Sequence, residues 1–348
     1  MNHFKKILSL ALCAAMTLSL GACGDAEADP PKEDQPKEEA VAELSEEEAW
    51  KLEPAYGKTV HYLMGEGCTF GPSFADAMGY FEEAGLKAEG VKGTSDVEAL
   101  GTGAVDISVG HIAKQLVPCT NGVDLTFTGG AHKGCKSIYV MADSPYQTLE
   151  DLKGTKVSAP NGVGNSDYNI SCRLFDADGI NPLKDIELVQ VETSACVPAM
   201  QNGEISAALM TDTYAYQMVK DGKLRKIRSM LDEDLDQICC VIAMNATFVK
   251  ENPITAKKMT ECVKKAHQYM ADHPEEATAK LIELGLNSGD LDMNIECNIS
   301  YQYNPSDEFT ESQLRDIVED YIKLGLITAT DDVEQIMDMA WTPLAPEC

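Results

Sequence analysis

Between residues 58 and 245 the chain repeats one pattern: a short apolar run, a glycine-bearing turn, then apolar residues at helical spacing. "KTVHYLMG" (58–65) reads as a strand. "SFADAMGYFEEAG" follows as a helix with Phe74, Ala77, Met78, Phe81 and Ala84 on one face and Gly85 as its stop. "LKAEGVKG", "TSDVEALGTG" and "AVDISVGH" continue as strand, helix and strand, with Ser95 and Glu98 at capping-box spacing. A helix near 112–120 and strands in "DLTFTGGAHKG" and "CKSIYVMAD" complete the set. These strands are too apolar to face water, which predicts a mostly parallel sheet covered on both sides.

The alternation restarts after residue 144 and runs to the long apolar strand "ICCVIAMN" (238–245). The remainder reads as helical, with Asn252 and Pro253 as one start signal and Thr310 with Gln313 as another. Residues 54–142 and 240–348 are thus expected to form lobe 1, and 143–239 lobe 2. The backbone would cross between them near Val140 and again near Val241. A cleft between two such lobes is where α/β proteins place small ligands.

The N-terminus predicts a compartment. Lys5 and Lys6 precede an apolar run from Ile7 to Leu20, too short for a permanent span of a roughly 30 Å hydrocarbon layer, so residues 1–22 read as a secretory signal. Leu20-Gly21-Ala22-Cys23 resembles the lipobox of bacterial lipoproteins, in which the cysteine receives a diacylglycerol and the chain is cut before it. Cys23 is the expected lipidation site, palmitate among its acyl chains. From Asp25 to Glu53 there are 12 acidic residues against 3 lysines, with three prolines. Residues 23–53 are therefore expected to be a lipidated, disordered, acidic tether on the extracytoplasmic face of the cell membrane.

Charge and cysteine content narrow the partners. Without residues 1–22, which carry two lysines and no acid, the formal charge moves from −29 to −31. No nucleic acid is expected, because phosphate contacts need Lys and Arg. Of the 12 cysteines, ten lie in the body; mostly free thiols are expected, with one or two bridges open. Cys239 and Cys240 adjoin in a strand, so their side chains should point to opposite faces. No G-x-S-x-G and no HExxH motif occurs, so no catalytic residue, enzyme activity or cofactor is assigned.

Four segments carry a family resemblance: "YFEEAGLKAEGV", "SDVEALGTGAVDISVGH", "LEDLKGTKVSAPNGVGNSDYNISCRLFDADGI" and "MQNGEISAALMTDTYAYQMVKDGK". Their serial order resembles the extracellular solute-binding lipoproteins of ABC transporters, in the SsuA-like group that serves nitrate, alkyl sulfonates and the pyrimidine precursor of thiamine. The resemblance implies an α/β, two-lobed, type II periplasmic-binding-protein-like fold with two interlobe crossovers and a helical C-terminal segment. It also implies a monomer that closes on a small-molecule solute and delivers it to an ABC permease and ATPase complex, with the membrane reached through the lipid anchor.

The turns expected at the cleft name the candidate ligand-binding residues. Lobe 1 offers Glu66, Cys68 and Thr69 in a glycine-flanked turn, Thr94 and Ser95 ahead of a helix, His111 after Gly110, and His132 after Gly129. Lobe 2 offers Asn165, Ser166, Asp167, Glu192, Asp212 and Tyr214. Thr94, Ser95, Asn165 and Ser166 have an alternative role as caps of their own helices. The four arginines of the body, Arg173, Arg225, Arg228 and Arg315, avoid these turns. That leans toward a neutral or cationic solute, a heterocycle among the options, over an anion needing a guanidinium clamp. "HKGC" (132–135), with His111 and Cys68, has ligand chemistry, but a partner pair is missing locally and no metal is assigned. A structural or adhesive surface lipoprotein and a metal-binding lipoprotein are the alternatives.

Overall fold

The computed structural model describes residues 44–93 and 95–344. Strands β1 (Thr59–Leu63), β2 (Lys87–Val91), β3 (Ile107–His111) and β4 (Thr126–Lys133) come first. Then follow β5 (Lys136–Met141), β6 (Lys156–Ser158), β7 (Glu187–Val189), β8 (Ala207–Thr211), β9 (Leu224–Ser229) and β10 (Ile238–Met244). They form two five-stranded sheets, in the orders β2-β1-β3-β10-β4 and β7-β6-β8-β5-β9. This is the expected two-lobed α/β architecture with flanking helices. In each sheet a strand adjacent to a crossing runs against its neighbours: β10 is antiparallel to β3 and β4, and β5 to β8 and β9. The remaining pairs are parallel.

The lobe boundary lies earlier than residue 142. Strand β5 pairs with β8 and β9, so the chain leaves the first sheet at Gly134 and Cys135, not near Val140. It returns through 230–237, and Val241 lies inside β10. Gly134 has φ +51°, and a Cβ there would overlap the Leu231 side chain of the returning segment. The two crossings therefore touch, and only a glycine fits between them.

Residues 45–53, expected to belong to a disordered tether, are instead folded onto the body. Ser45 caps a helix at Glu46–Trp50 through a reciprocal capping box with Glu48. Trp50 is buried, and its indole N–H donates to Thr255 Oγ1 at 2.9 Å. The Glu53 carboxylate accepts from the backbone N–H groups of Ile254 and Thr255, satisfying free donors at the start of the helix Pro253–Asp272. The signal segment and Cys23 lie outside the described residues. No helix among the described residues is long and apolar enough to cross a membrane.

Two helices differ in detail. The run after Phe70 is split into Gly71–Ala77 and Tyr80–Glu83 by Gly79 at φ +76°. The helix assigned to a Thr310 start begins at Asp307, capped by the Ser306 side chain, with Thr310 buried in its second turn.

C-terminal helices join the lobes. Leu291–Ser300 packs both on Pro274–Glu283 and on Asp212–Lys220. Arg173 of the lobe 2 helix Ser166–Ala177 pairs with Asp320 of Asp307–Lys323 at 2.8 Å. The Asn169 amide donates to the Ala113 carbonyl at 2.7 Å. The lobes are in contact around a small gap.

Candidate functional site

The gap lies between the turn after β1, the first crossing, the start of the helix Asp212–Lys220 and the C-terminal helices. Gly67, Cys68, Cys135, Thr211, Thr213, Asn287, Asn298 and Tyr301 line a cavity of about 60 Å³. Behind it converge six soft donor side chains: Cys68, His111, His132, Cys135, Cys239 and Cys240. Three triads each have their ligand atoms within 4.8 Å of one another: Cys68, His132 and Cys240; Cys68, His111 and Cys135; and His111, Cys239 and Cys240. The Cys135 sulfur is 3.1 Å from that of Cys239 and 3.6 Å from His111 Nε2. All nine described cysteines are free thiols.

Local structure explains the convergence. Cys68 sits in a single 3₁₀ turn (Gly67–Thr69) that ties to the C-terminal region through the Gly67 N–H and the Leu286 carbonyl. His111 ends β3 and His132 lies one residue before the end of β4. Cys135 follows Gly134 in the crossing and adopts φ +139°, outside the ordinary range for a side-chain-bearing residue. Regular alternation would turn Cys239 and Cys240 to opposite faces, and the structure corrects that expectation. Ile238 pairs with Lys133 and Cys240 with His132, so Cys239 is an extra residue in the ladder. That bulge re-aims the strand, and both adjacent sulfurs reach the cluster.

His132 is fully buried and oriented from behind. Its Nδ1 is 3.0 Å from the Lys133 carbonyl, and since a carbonyl only accepts, Nδ1 carries a proton. Its Nε2 is buried without a hydrogen-bond partner. The charges are split. Hydrogen bonds from Cys135 and Cys240, together with His132, hold the Cys68 thiol well below its ordinary value. Burial acts to raise Cys239, but Cys135, Cys240 and His111 outweigh it and hold that thiol low. Cys135 and Cys240 are pushed well above, Cys135 chiefly by donating to Cys239 and Cys68, Cys240 chiefly by burial. Burial would lower His132, yet the adjacent Cys68 thiolate raises it to about 9. Four cysteine sulfurs and two imidazoles within reach of one another are a donor set suited to soft cations, whose binding would displace their protons.

The expected site residues divide accordingly. Cys68, His111 and His132 meet in the cluster. Ser166 and Asp167 sit beside it, each accepting from buried Lys136, and Asp167 also from the Asn161 backbone at 3.1 Å. Asp212 lies in a separate pocket with Tyr139, Lys226, Glu296 and Cys297, accepting from the Tyr139 hydroxyl at 2.6 Å. Ser95 caps its own helix through the Glu98 N–H, and the Asn165 amide donates to the Asn161 carbonyl. Thr69 turns back to the Glu66 carbonyl. Glu66, Glu192 and Tyr214 are exposed, and Thr94 lies outside the described residues. Cys239 and Cys240 supply the partner pair missing near "HKGC". The adjacent cysteines were the available signal, hidden by the assumption of regular strand alternation.

A family model for NMT1/THI5-like proteins matches residues 71–277. The chain belongs to the NMT1/THI5-like family. A candidate binding protein of Brucella abortus (strain 2308) is 21% identical over 290 residues, 79% of this chain and 84% of that protein. The 4-amino-5-hydroxymethyl-2-methylpyrimidine phosphate synthase THI5 of Saccharomyces cerevisiae is 24% identical over 273 residues, 72% of this chain and 75% of the synthase. Among solved structures, the periplasmic aliphatic sulphonate-binding protein SsuA of Escherichia coli superposes with a TM-score of 0.66 at 19% identity, covering 83% of this chain and 93% of SsuA. The fold of this family member is therefore the type II periplasmic-binding-protein architecture.

Proposed function

We propose that this NMT1/THI5-like chain is the solute-binding component of an ABC importer, held by lipid at Cys23 on the extracytoplasmic face of the membrane. It captures a small neutral or cationic solute between its lobes without catalysis and hands it to the permease and ATPase complex. The observation that carries this reading is the cavity lined by Cys68, Cys135, Thr211, Thr213, Asn287, Asn298 and Tyr301 between two lobes joined by two crossings.

The arginines support a cargo other than a simple anion. Arg173 pairs with Asp320, Arg228 with Asp178, Asp232 and Asp234, and Arg315 with Glu334. Arg225 donates to the carbonyls of Ser144 and Tyr146. None lines the cavity, so a sulfonate or nitrate would lack a guanidinium partner.

Thermal melting of the mature chain against amines, pyrimidines, sulfonates, nitrate and metal ions tests the proposal. A bound cargo at 100 times its Kd should add about 2.7 kcal/mol. Stabilisation by sulfonates alone, or by nothing in the panel, would overturn it. Cys23→Ala should move the protein from the membrane fraction to the soluble one; unchanged membrane association would remove the anchor.

A further inference from the structure

Five other described cysteines provide a contrast to the cluster. Cys119, Cys196 and Cys262 donate to the carbonyls of Leu125, Val191 and Tyr80, and burial pushes Cys119, Cys172 and Cys262 up to about 12. Cys297 is also buried and raised, to about 11. These behave as small hydrophobes. The cluster thiols instead face one another and two imidazoles, and a bulge and a strained backbone position bring them there.

We infer that Cys68, His111, His132, Cys135, Cys239 and Cys240 form the cargo site for a thiophilic cation, Cu⁺ or Zn²⁺. This rests on the importer reading of the cleft and names its substrate class. The donors are sulfur and imidazole nitrogen, which select such ions over Mg²⁺, Ca²⁺ or Mn²⁺. Asp167, the nearby carboxylate, is occupied by Lys136 and Asn161. His132 has the arrangement of a metal ligand, one ring nitrogen held by a backbone carbonyl and the other buried and unpartnered. A cavity of about 60 Å³ suits an ion with a few waters; pockets for organic ligands begin at roughly 300 Å³.

The donor set exceeds the four that a tetrahedral ion takes. Five of the six lie on the lobe 1 sheet or its turn, so an ion can bind before the lobes close. Cys135 lies in the crossing itself, so its coordination couples the ion to the hinge. Lobe 2 then covers the ion with Thr211 and Thr213.

The test uses the reduced mature chain under anaerobic conditions, with Cu⁺ titrated against a colorimetric Cu⁺ chelator and Zn²⁺ against a chromophoric Zn²⁺ chelator. The expected result is at least one ion per chain, with sulfur and nitrogen neighbours in X-ray absorption. The arm that binds more tightly identifies the ion. Cys240→Ser and His132→Gln should each weaken binding at least 100-fold, whereas Cys196→Ser should leave it unchanged. Should a variant fail to fold, alkylation of the unmodified chain serves instead: the ion should protect Cys68. Failure to bind either ion, equal binding by the cluster variants, or unprotected Cys68 would overturn the inference. So would a Cys135–Cys239 disulfide that reductant opens without subsequent metal uptake. If the ion binds as described but deleting the gene leaves cellular metal uptake unchanged, the site stands and the importer reading falls. If neither ion binds but an organic solute stabilises the chain, the importer reading stands and the metal site falls.

Discussion

Lys136 and Asp167 are both buried and paired beside the cluster. Taking one partner away strands a charge in a medium that cannot solvate it, while removing both leaves apolar packing. Lys136→Met should cost roughly 3–5 kcal/mol, and Lys136→Met with Asp167→Leu should recover most of that; urea unfolding of both variants checks it. His267 behaves differently. It is fully buried, neither ring nitrogen has a hydrogen-bond partner, and its ring meets those of Phe70 and Tyr303. Burial, aided by the charge on His132, pushes it from 6.5 down to about 3. The unfolded chain therefore takes up this proton first. The stability it contributes is complete above pH 6.5 and is lost as pH falls toward about 3, by roughly 1.4 kcal/mol per unit. His267→Phe should flatten that part of the stability–pH curve; an unchanged slope would show that other groups set it.

At the scale of elements, the short helix Glu46–Trp50 makes the clearest case. Its single turn is too short to hold a helix alone, so its order comes from the capping box and from Trp50 packing against the helix Pro253–Asp272. Lys258 also lies 4.3 Å above the indole. Trp50→Ala should destabilise the body by about 3–5 kcal/mol, measured as a fall in the urea midpoint. The sequence showed an acidic, proline-bearing run and gave no sign of where it docks, because the partner, Thr255, lies 205 residues away. The bulge at Cys239 was hidden for a similar reason: the residues "ICCVIAMN" read like any buried strand, and only the pairing with β4 shows the extra residue.

At the scale of the molecule, polar contacts join lobe 2 to the helices of lobe 1. Arg173 is mostly buried where it meets Asp320, so salt screens the pair weakly. Arg173→Ala, with the Asn169 contact retained, should shift the population toward a more open form, seen as a larger radius of gyration in small-angle scattering without cargo. An identical radius would show that this pair does not hold closure.

The sequence by itself determined the alternation of strand and helix, the division into two lobes and the capped helix starts, because each follows from periodicities within a few residues. It also named Cys68, His111 and His132 as candidate ligand contacts, from their places beside glycine-bearing turns. Tertiary structure alone decided that four thiols and two imidazoles share one small space. Cys68 and Cys240 are separated by most of two lobes of chain, and their meeting depends on strand order, on a crossing that carries Cys135, and on a ladder irregularity. Those are properties of how distant backbones pair, and no local pattern encodes them.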